Sequence, residues 1–118
     1  MAIQIKKNLT ASPNPTTLGK RIELVQTLRS TLESEPITIV YRLAPGHEVW
    51  FQDGDDPPSK TFSRTETVGR TDQICRDRVD LVKGPGTGPI ELVQIDQMIT
   101  DSLGIAQPDL VLVQIQSS

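Results

Sequence analysis

A single spacing dominates the second half of this chain. Leu92, Ile95, Ile99 and Leu103 fall at i, i+3, i+7 and i+11, with Met98 beside them, which makes one apolar stripe at the helical period. Glu91, Gln94, Gln97, Thr100 and Asp101 mostly take the other sides. Pro89 suits a first helical turn, where its missing N–H costs nothing. Gly104 stands just past Leu103, where a left-handed C-terminal cap is expected. The spacing predicts an amphipathic helix ending at Leu103. Its stripe must be buried, and the nearest cover is a sheet built from the strands before it.

Two polar runs precede that helix. Thr61, Phe62, Thr65, Thr67 and Val68 favour strand, and a second run from Ile74 to Lys83 ends in the apolar-rich Val79, Leu81 and Val82. Paired as a hairpin across 69–73, one register sets Arg64 opposite Arg78 and Glu66 opposite Arg76. Lys60, Phe62, Arg64, Arg76 and Arg78 then share a face. Opposed arginines repel unless an anion lies between them. Two readings stand: a slipped register with solvated arginines, or a sheet face that meets phosphate, whose geometry the guanidinium fork matches.

Length and composition bound the rest. A chain of 118 residues makes one domain, 1–118, with room for one core. Apolar residues are 36% and aromatics 3%, so the core is aliphatic and modest, which favours further burial in a dimer or larger assembly. A net charge of −3 gives no whole-molecule signal for nucleic acid, and any such binding must come from a local patch. Cys75 is the only cysteine, which excludes an intramolecular disulfide and argues against a cysteine-based zinc site. Its ordinary reading is a small buried or half-buried residue. No apolar run reaches membrane length and no signal-peptide core is visible, so the expectation is a cytoplasmic product unless it is packaged into something released.

In chain order, Ile3, Ile5 and Leu9 lie on one parity of a half-buried strand interrupted by Lys7. Asn8-Leu9-Thr10 matches a glycosylation sequon by chance. Ser12-Pro13-Asn14-Pro15 makes a loop. The segment 16–35 reads two ways. Leu18, Ile22, Val25, Leu28 and Leu32 form a helical stripe, while Ile22, Leu24, Leu28 and Leu32 share one strand parity; local propensity tilts to helix. Ile37, Ile39, Tyr41 and Leu43 mark the clearest strand, followed by an Ala44-Pro45-Gly46 turn and a return strand over 48–52. That return carries Trp50 and Phe51 on opposite faces. Trp50 is either an interface anchor or a residue of a second layer.

Asp53 to Pro58 is an acidic hairpin tip without the bidentate glutamate of a calcium loop. Lys83 to Pro89 lacks the Gly-Lys-Ser/Thr ending of a phosphate loop and reads as a connector. Leu110 to Ile115 is a strongly apolar strand that must pair, since exposed it invites aggregation. His47 is the only histidine, which removes the parts for a histidine metal site or a Ser-His-Asp relay. No carboxylate sits in a stretch suggesting a buried acid. The expectation is a structural or binding protein rather than an enzyme, with no catalytic residue, metal or cofactor.

Phe62-Ser63-Arg64-Thr65, the run Cys75 to Val82, the Pro85 to Pro89 turn and the helix through Leu103 together resemble the coat proteins of single-stranded RNA bacteriophages. The likeness is one of element order over the second half of the chain. It implies an α+β subunit, an antiparallel β-sheet with a C-terminal helix packing on a dimer partner. It also implies self-assembly of dimers into a virion shell around RNA, made in the host cytoplasm and without a membrane. By that resemblance Lys60, Arg64, Arg76 and Arg78 face RNA, and Leu92, Ile95, Ile99 and Leu103 bury at the dimer, with Trp50 as a further interface anchor. A second set, Ser12-Pro13-Asn14-Pro15 followed by Leu18-Gly19-Lys20, is similar to the start of bacterial immunoglobulin-like domains. It implies the rival reading, a β-sandwich protein-interaction module.

Overall fold

A computed structural model describes residues 3–43, 48–83 and 91–116. Those described residues form eight strands: β1 (Ile3–Ser12), β2 (Arg21–Ser30), β3 (Glu35–Leu43), β4 (Val49–Gln52), β5 (Thr61–Val68), β6 (Gln73–Lys83), β7 (Leu92–Thr100) and β8 (Ala106–Gln114). They form two four-stranded sheets, in the orders β1-β2-β6-β4 and β5-β3-β7-β8. Every strand pairing is antiparallel. One hydrophobic core, drawn from both sheets, fills the space between them. The molecule is a small all-β domain.

The expected α+β fold is overturned, because no helix occurs among the described residues and 92–100 is strand β7. The reason lies in two inversions of the usual pattern. Val93, Ile95 and Ile99 point inward with Gln97, a polar residue that is nonetheless 2% exposed. Leu92 and Met98 point outward, although both are apolar. A polar residue on the inner parity and apolar residues on the outer one erase period 2 and leave an accidental helical stripe. Gly104 does take a positive φ of 81°, but it does so in the β7–β8 turn. There Asp101 accepts hydrogen bonds from the N–H groups of Leu103 and Ile105, both at 2.9 Å. A left-handed glycine serves a helix cap and a β-turn equally, so it could not discriminate.

Three further expectations change. The ambiguous segment 16–35 yields a strand, β2, hydrogen-bonded on both sides to β1 and β6; two flanking ladders outweigh a slight helix propensity. β5 and β6 do not pair as a hairpin, since they lie in different sheets. Arg64 therefore stands opposite Ile39, and Arg78 opposite Glu23. β4 pairs with β6 rather than returning along β3. The Ala44-Pro45-Gly46 turn, His47 and residues 84–89 of the connector lie outside the described residues.

Other expectations hold. Ile37, Ile39, Tyr41 and Leu43 form the inner face of β3, and Leu110 to Gln114 lies in β8, paired to β7. Phe51 is buried while Trp50 faces the opposite way, and Cys75 is a buried free thiol. Three of the four aromatics gather at one place: Tyr41 stacks on Phe62 with centroids 4.6 Å apart, and Phe51 meets Phe62 edge-on at 4.8 Å. Burying aliphatic chains of this kind stabilises by roughly 1.5–3 kcal/mol each, and the core is otherwise aliphatic.

Candidate interaction surface

The residues singled out from the sequence are dispersed rather than gathered. Arg76 and Arg78 do share the outer face of the β1-β2-β6-β4 sheet, where both bind Glu23 of β2 at 3.0 Å. Those guanidinium contacts, that of Arg78 foremost, hold the Glu23 carboxyl below its ordinary value. Arg64 points to the inner side of β5, with Nη2 2.7 Å from Asp53 and Nε 3.5 Å from Asp77. The Lys60 ammonium donates to the Val49 carbonyl at 2.7 Å and sits 4.9 Å over the Trp50 ring. The four cations thus fall into three local partnerships, Arg76 and Arg78 together on Glu23, Arg64 with Asp53 and Asp77, and Lys60 with the Val49 carbonyl and Trp50.

The expected dimer stripe is split in the same way. Ile95 and Ile99 are core residues, Leu103 is 77% exposed in the β7–β8 turn, and Leu92 lies on the outer face of β7. Trp50 is on the outside of the other sheet, opposite Val82. These residues form no single surface.

A different surface emerges from strand parity. The outer face of the β5-β3-β7-β8 sheet carries Leu92, Met98, Leu110 and Leu112, exposed at 44%, 42%, 48% and 46%. Register fixes their neighbours: Met98 lies between Val40 and Pro108, Leu110 beside Asp96, and Leu112 beside Gln94. Towards one end the face becomes hydroxylic, because Thr38 stands opposite both Thr65 and Thr100. A groove of about 580 Å³ runs there, lined by Thr38, Thr65, Thr67, Thr100 and Ser102 among others. Arg42 and Asp96 are the charged residues of this face among those described.

The two sheets are held together beneath that face by a polar seam. Gln26 of β2 and Gln97 of β7 exchange amide hydrogen bonds at 2.8 Å in both directions. Gln26 Nε2 also donates to Asp109 at 3.0 Å, and the same carboxylate accepts the Leu9 N–H at 2.8 Å. On the other side, Gln97 Nε2 reaches the Tyr41 hydroxyl at 3.4 Å, which donates to Asp77 at 2.7 Å. Burial, with the Asp77 charge next, pushes the Tyr41 phenol well above its ordinary value, so it stays a donor. Buried polar groups linked in this way fix one relative placement of the sheets, since a shifted register would orphan them.

Sequence reasoning missed the outer face, although a signal existed. Leu110, Val111, Leu112 and Val113 are continuous, so both parities of β8 are apolar, and in a two-layer protein one of them must face out. No protein-family model matches the chain, and no curated protein is significantly similar to it.

Proposed function

We propose that this chain is a β-sandwich protein-interaction module that docks a partner protein through the outer face of the β5-β3-β7-β8 sheet. The observation that carries the reading is the cluster Leu92, Met98, Leu110 and Leu112 on a face with Arg42 and Asp96 as its charges. Apolar side chains in a patch depleted of charge are what the centre of a protein interface requires. The strand order gives support. β1-β2-β6-β4 runs like A-B-E-D of an immunoglobulin-like sandwich, and β8-β7-β3 like G-F-C. β5 departs from that plan, because it follows β4 in the chain yet extends the second sheet beside β3.

The test is comparative capture from source-cell extract with three baits: wild type, Leu110→Glu/Leu112→Lys, and Ile74→Lys on the opposite face. Proteins retained by wild type and the Ile74 variant but lost by the double variant are the expected result. An identical set on all three baits would overturn the reading.

A further inference from the structure

We infer that β5 is a self-pairing edge, through which two copies of this chain join their four-stranded sheets into one continuous sheet. The inference concerns a strand edge and does not depend on what the outer face docks.

The argument starts from the other edges. Unpaired strand edges template further pairing, and proteins blunt them. The free edge of β8 is covered by the β1–β2 connection: Asn14 binds Leu112 O at 3.0 Å and Gln114 N at 2.9 Å, and Thr16 binds Gln114 O at 2.9 Å and Gln116 N at 2.7 Å. Pro108 removes one further donor. The edge of β1 is interrupted by two register shifts and occupied by the side chains of Gln107, on Ile3 O, and Asp109, on Leu9 N. β4 is four residues long, and Ser59 closes its edge by exchanging two hydrogen bonds with Phe51 at 2.8 Å.

β5 is treated differently. The Leu43 N–H donates to Lys60 O at 3.0 Å, so the even-numbered residues of β5 face β3, and the N–H and C=O groups of Thr61, Ser63, Thr65 and Thr67 face away. Local contacts use two of these groups, Thr61 N with Ser59 and Ser63 O with Arg64. Among the described residues nothing pairs with Thr65 or Thr67 on that side. The strand is eight residues long, free of proline, and its register with β3 has no bulge.

The sequence of that edge is complementary to itself. With a two-fold axis at Thr65, an antiparallel copy sets Arg64 opposite Glu66, Ser63 opposite Thr67, and Phe62 opposite Val68. The first two are favourable cross-strand pairs, opposite charges and two hydroxyls, while Phe62 and Val68 already pack into the core of their own chain. Glu66 makes no ion pair or hydrogen bond among the described residues, so the arginine of the second copy, which also holds Asp53 and Asp77 of its own chain, gives it a partner. The register also brings the outward backbone groups face to face, because Ser63, Thr65 and Thr67 all present their N–H and C=O on that side. A two-fold contact of this kind is isologous and closes as a dimer.

Sedimentation velocity over a concentration series tests the proposal, with far-UV circular dichroism to check folding. Wild type is expected to show a monomer–dimer equilibrium. Glu66→Arg, which brings arginines face to face, and Thr65→Pro, which removes an outward donor that no contact within the chain uses, should each weaken dimerisation by roughly tenfold or more. Thr65→Cys should form a disulfide-linked dimer under mild oxidation while Thr61→Cys does not, which decides the matter even if the proline variant fails to fold. Leu110→Glu/Leu112→Lys should leave the dimer intact, which separates this edge from the docking face. A chain that stays monomeric throughout, or a dimer indifferent to Glu66→Arg and Thr65→Cys oxidation, would overturn it.

Discussion

The two outer faces of this sandwich are built on the same backbone pattern and treat charge in opposite ways. On the β1-β2-β6-β4 face, cations are met by anions across the strands: Arg21 with Asp80 at 3.3 Å, Arg76 and Arg78 with Glu23 at 3.0 Å, and Arg29 with Asp72 at 3.6 Å. The charges of that face are matched among themselves, with Ile74 standing 56% exposed beside them. On the β5-β3-β7-β8 face the positions of those charges are taken by Leu92, Met98, Leu110, Leu112 and threonines. Solvated ion pairs contribute little to stability, so what distinguishes the first face is chiefly that its charges are internally matched. The second face carries only Arg42 and Asp96 as charges among the described residues. Where a chain leaves charge out matters more here than where it puts it in.

The largest expected effect comes from reversing that contrast. Met98→Glu or Leu110→Glu adds a carboxylate to the apolar cluster of the charge-poor face, and loss of partner binding by about 2–4 kcal/mol is expected if those residues are interface anchors. Folding should be nearly untouched, within about 0.5 kcal/mol, because both side chains point to solvent. Titration calorimetry against a captured partner and urea unfolding separate the two quantities. A variant that loses stability and binding together would mean that the face is part of the fold rather than a docking site.

The contrast also depends on both faces belonging to one rigid body, which the Gln26–Gln97 pair secures. Gln97→Leu leaves the Gln26 amide oxygen without its donor, while Gln26 Nε2 keeps Asp109, and should cost about 1–3 kcal/mol in urea unfolding. The double change Gln26→Leu/Gln97→Leu removes both polar ends and should recover part of that loss. A double variant as unstable as the sum of the singles would show that packing, not pairing, is what the glutamines contribute.

Much of this architecture is legible in the residues and some is not. The β3 alternation Ile37, Ile39, Tyr41, Leu43 is unbroken because from Ile37 onward its inner parity is apolar or aromatic, the buried Glu35 standing before it, and the expectation for it holds. β7 misleads for the reason that makes it interesting. Its inner parity carries Gln97, which belongs to the seam, and its outer parity carries Leu92 and Met98, which belong to the exposed face. Departures from the binary pattern are where pattern reading fails. The cationic residues mislead differently. Local spacing places Arg64, Arg76 and Arg78 on one hairpin, but partner choice among strands is set by long-range packing, which no local spacing records.

Cys75 gives a smaller, pH-dependent probe of the interior below the charged face. Burial, then the nearby charges of Glu66 and Asp77, push its thiol from the ordinary 9.0 up to about 11. A thiol raised in the folded state contributes stability that is complete below pH 9.0 and is lost as pH rises towards about 11. Thermal melts across that interval should fall more steeply for wild type than for Cys75→Ala. Alkylation at neutral pH should be slow until the chain unfolds. Parallel pH slopes in the two proteins would place the alkaline loss elsewhere.

The smallest effect is expected on the charged face itself. Glu23 is held below its ordinary 4.5 by Arg78 and Arg76. A carboxyl lowered on folding contributes stability that is present above the unfolded value and is lost as pH falls through the folded one. Glu23→Gln should therefore change the melting temperature little at neutral pH, and its difference from wild type should vanish as the solution is made more acid than pH 4.5. Raising salt should shrink the difference as well, because these partners are solvated. The informative outcome is on binding: with Glu23 neutralised, Arg76 and Arg78 lose their shared anion, and this face should begin to retain polyanions such as heparin that wild type passes. If wild type and Glu23→Gln elute alike from heparin, the ion pairs are not what keeps this face closed, and the contrast between the two faces rests on the apolar side alone.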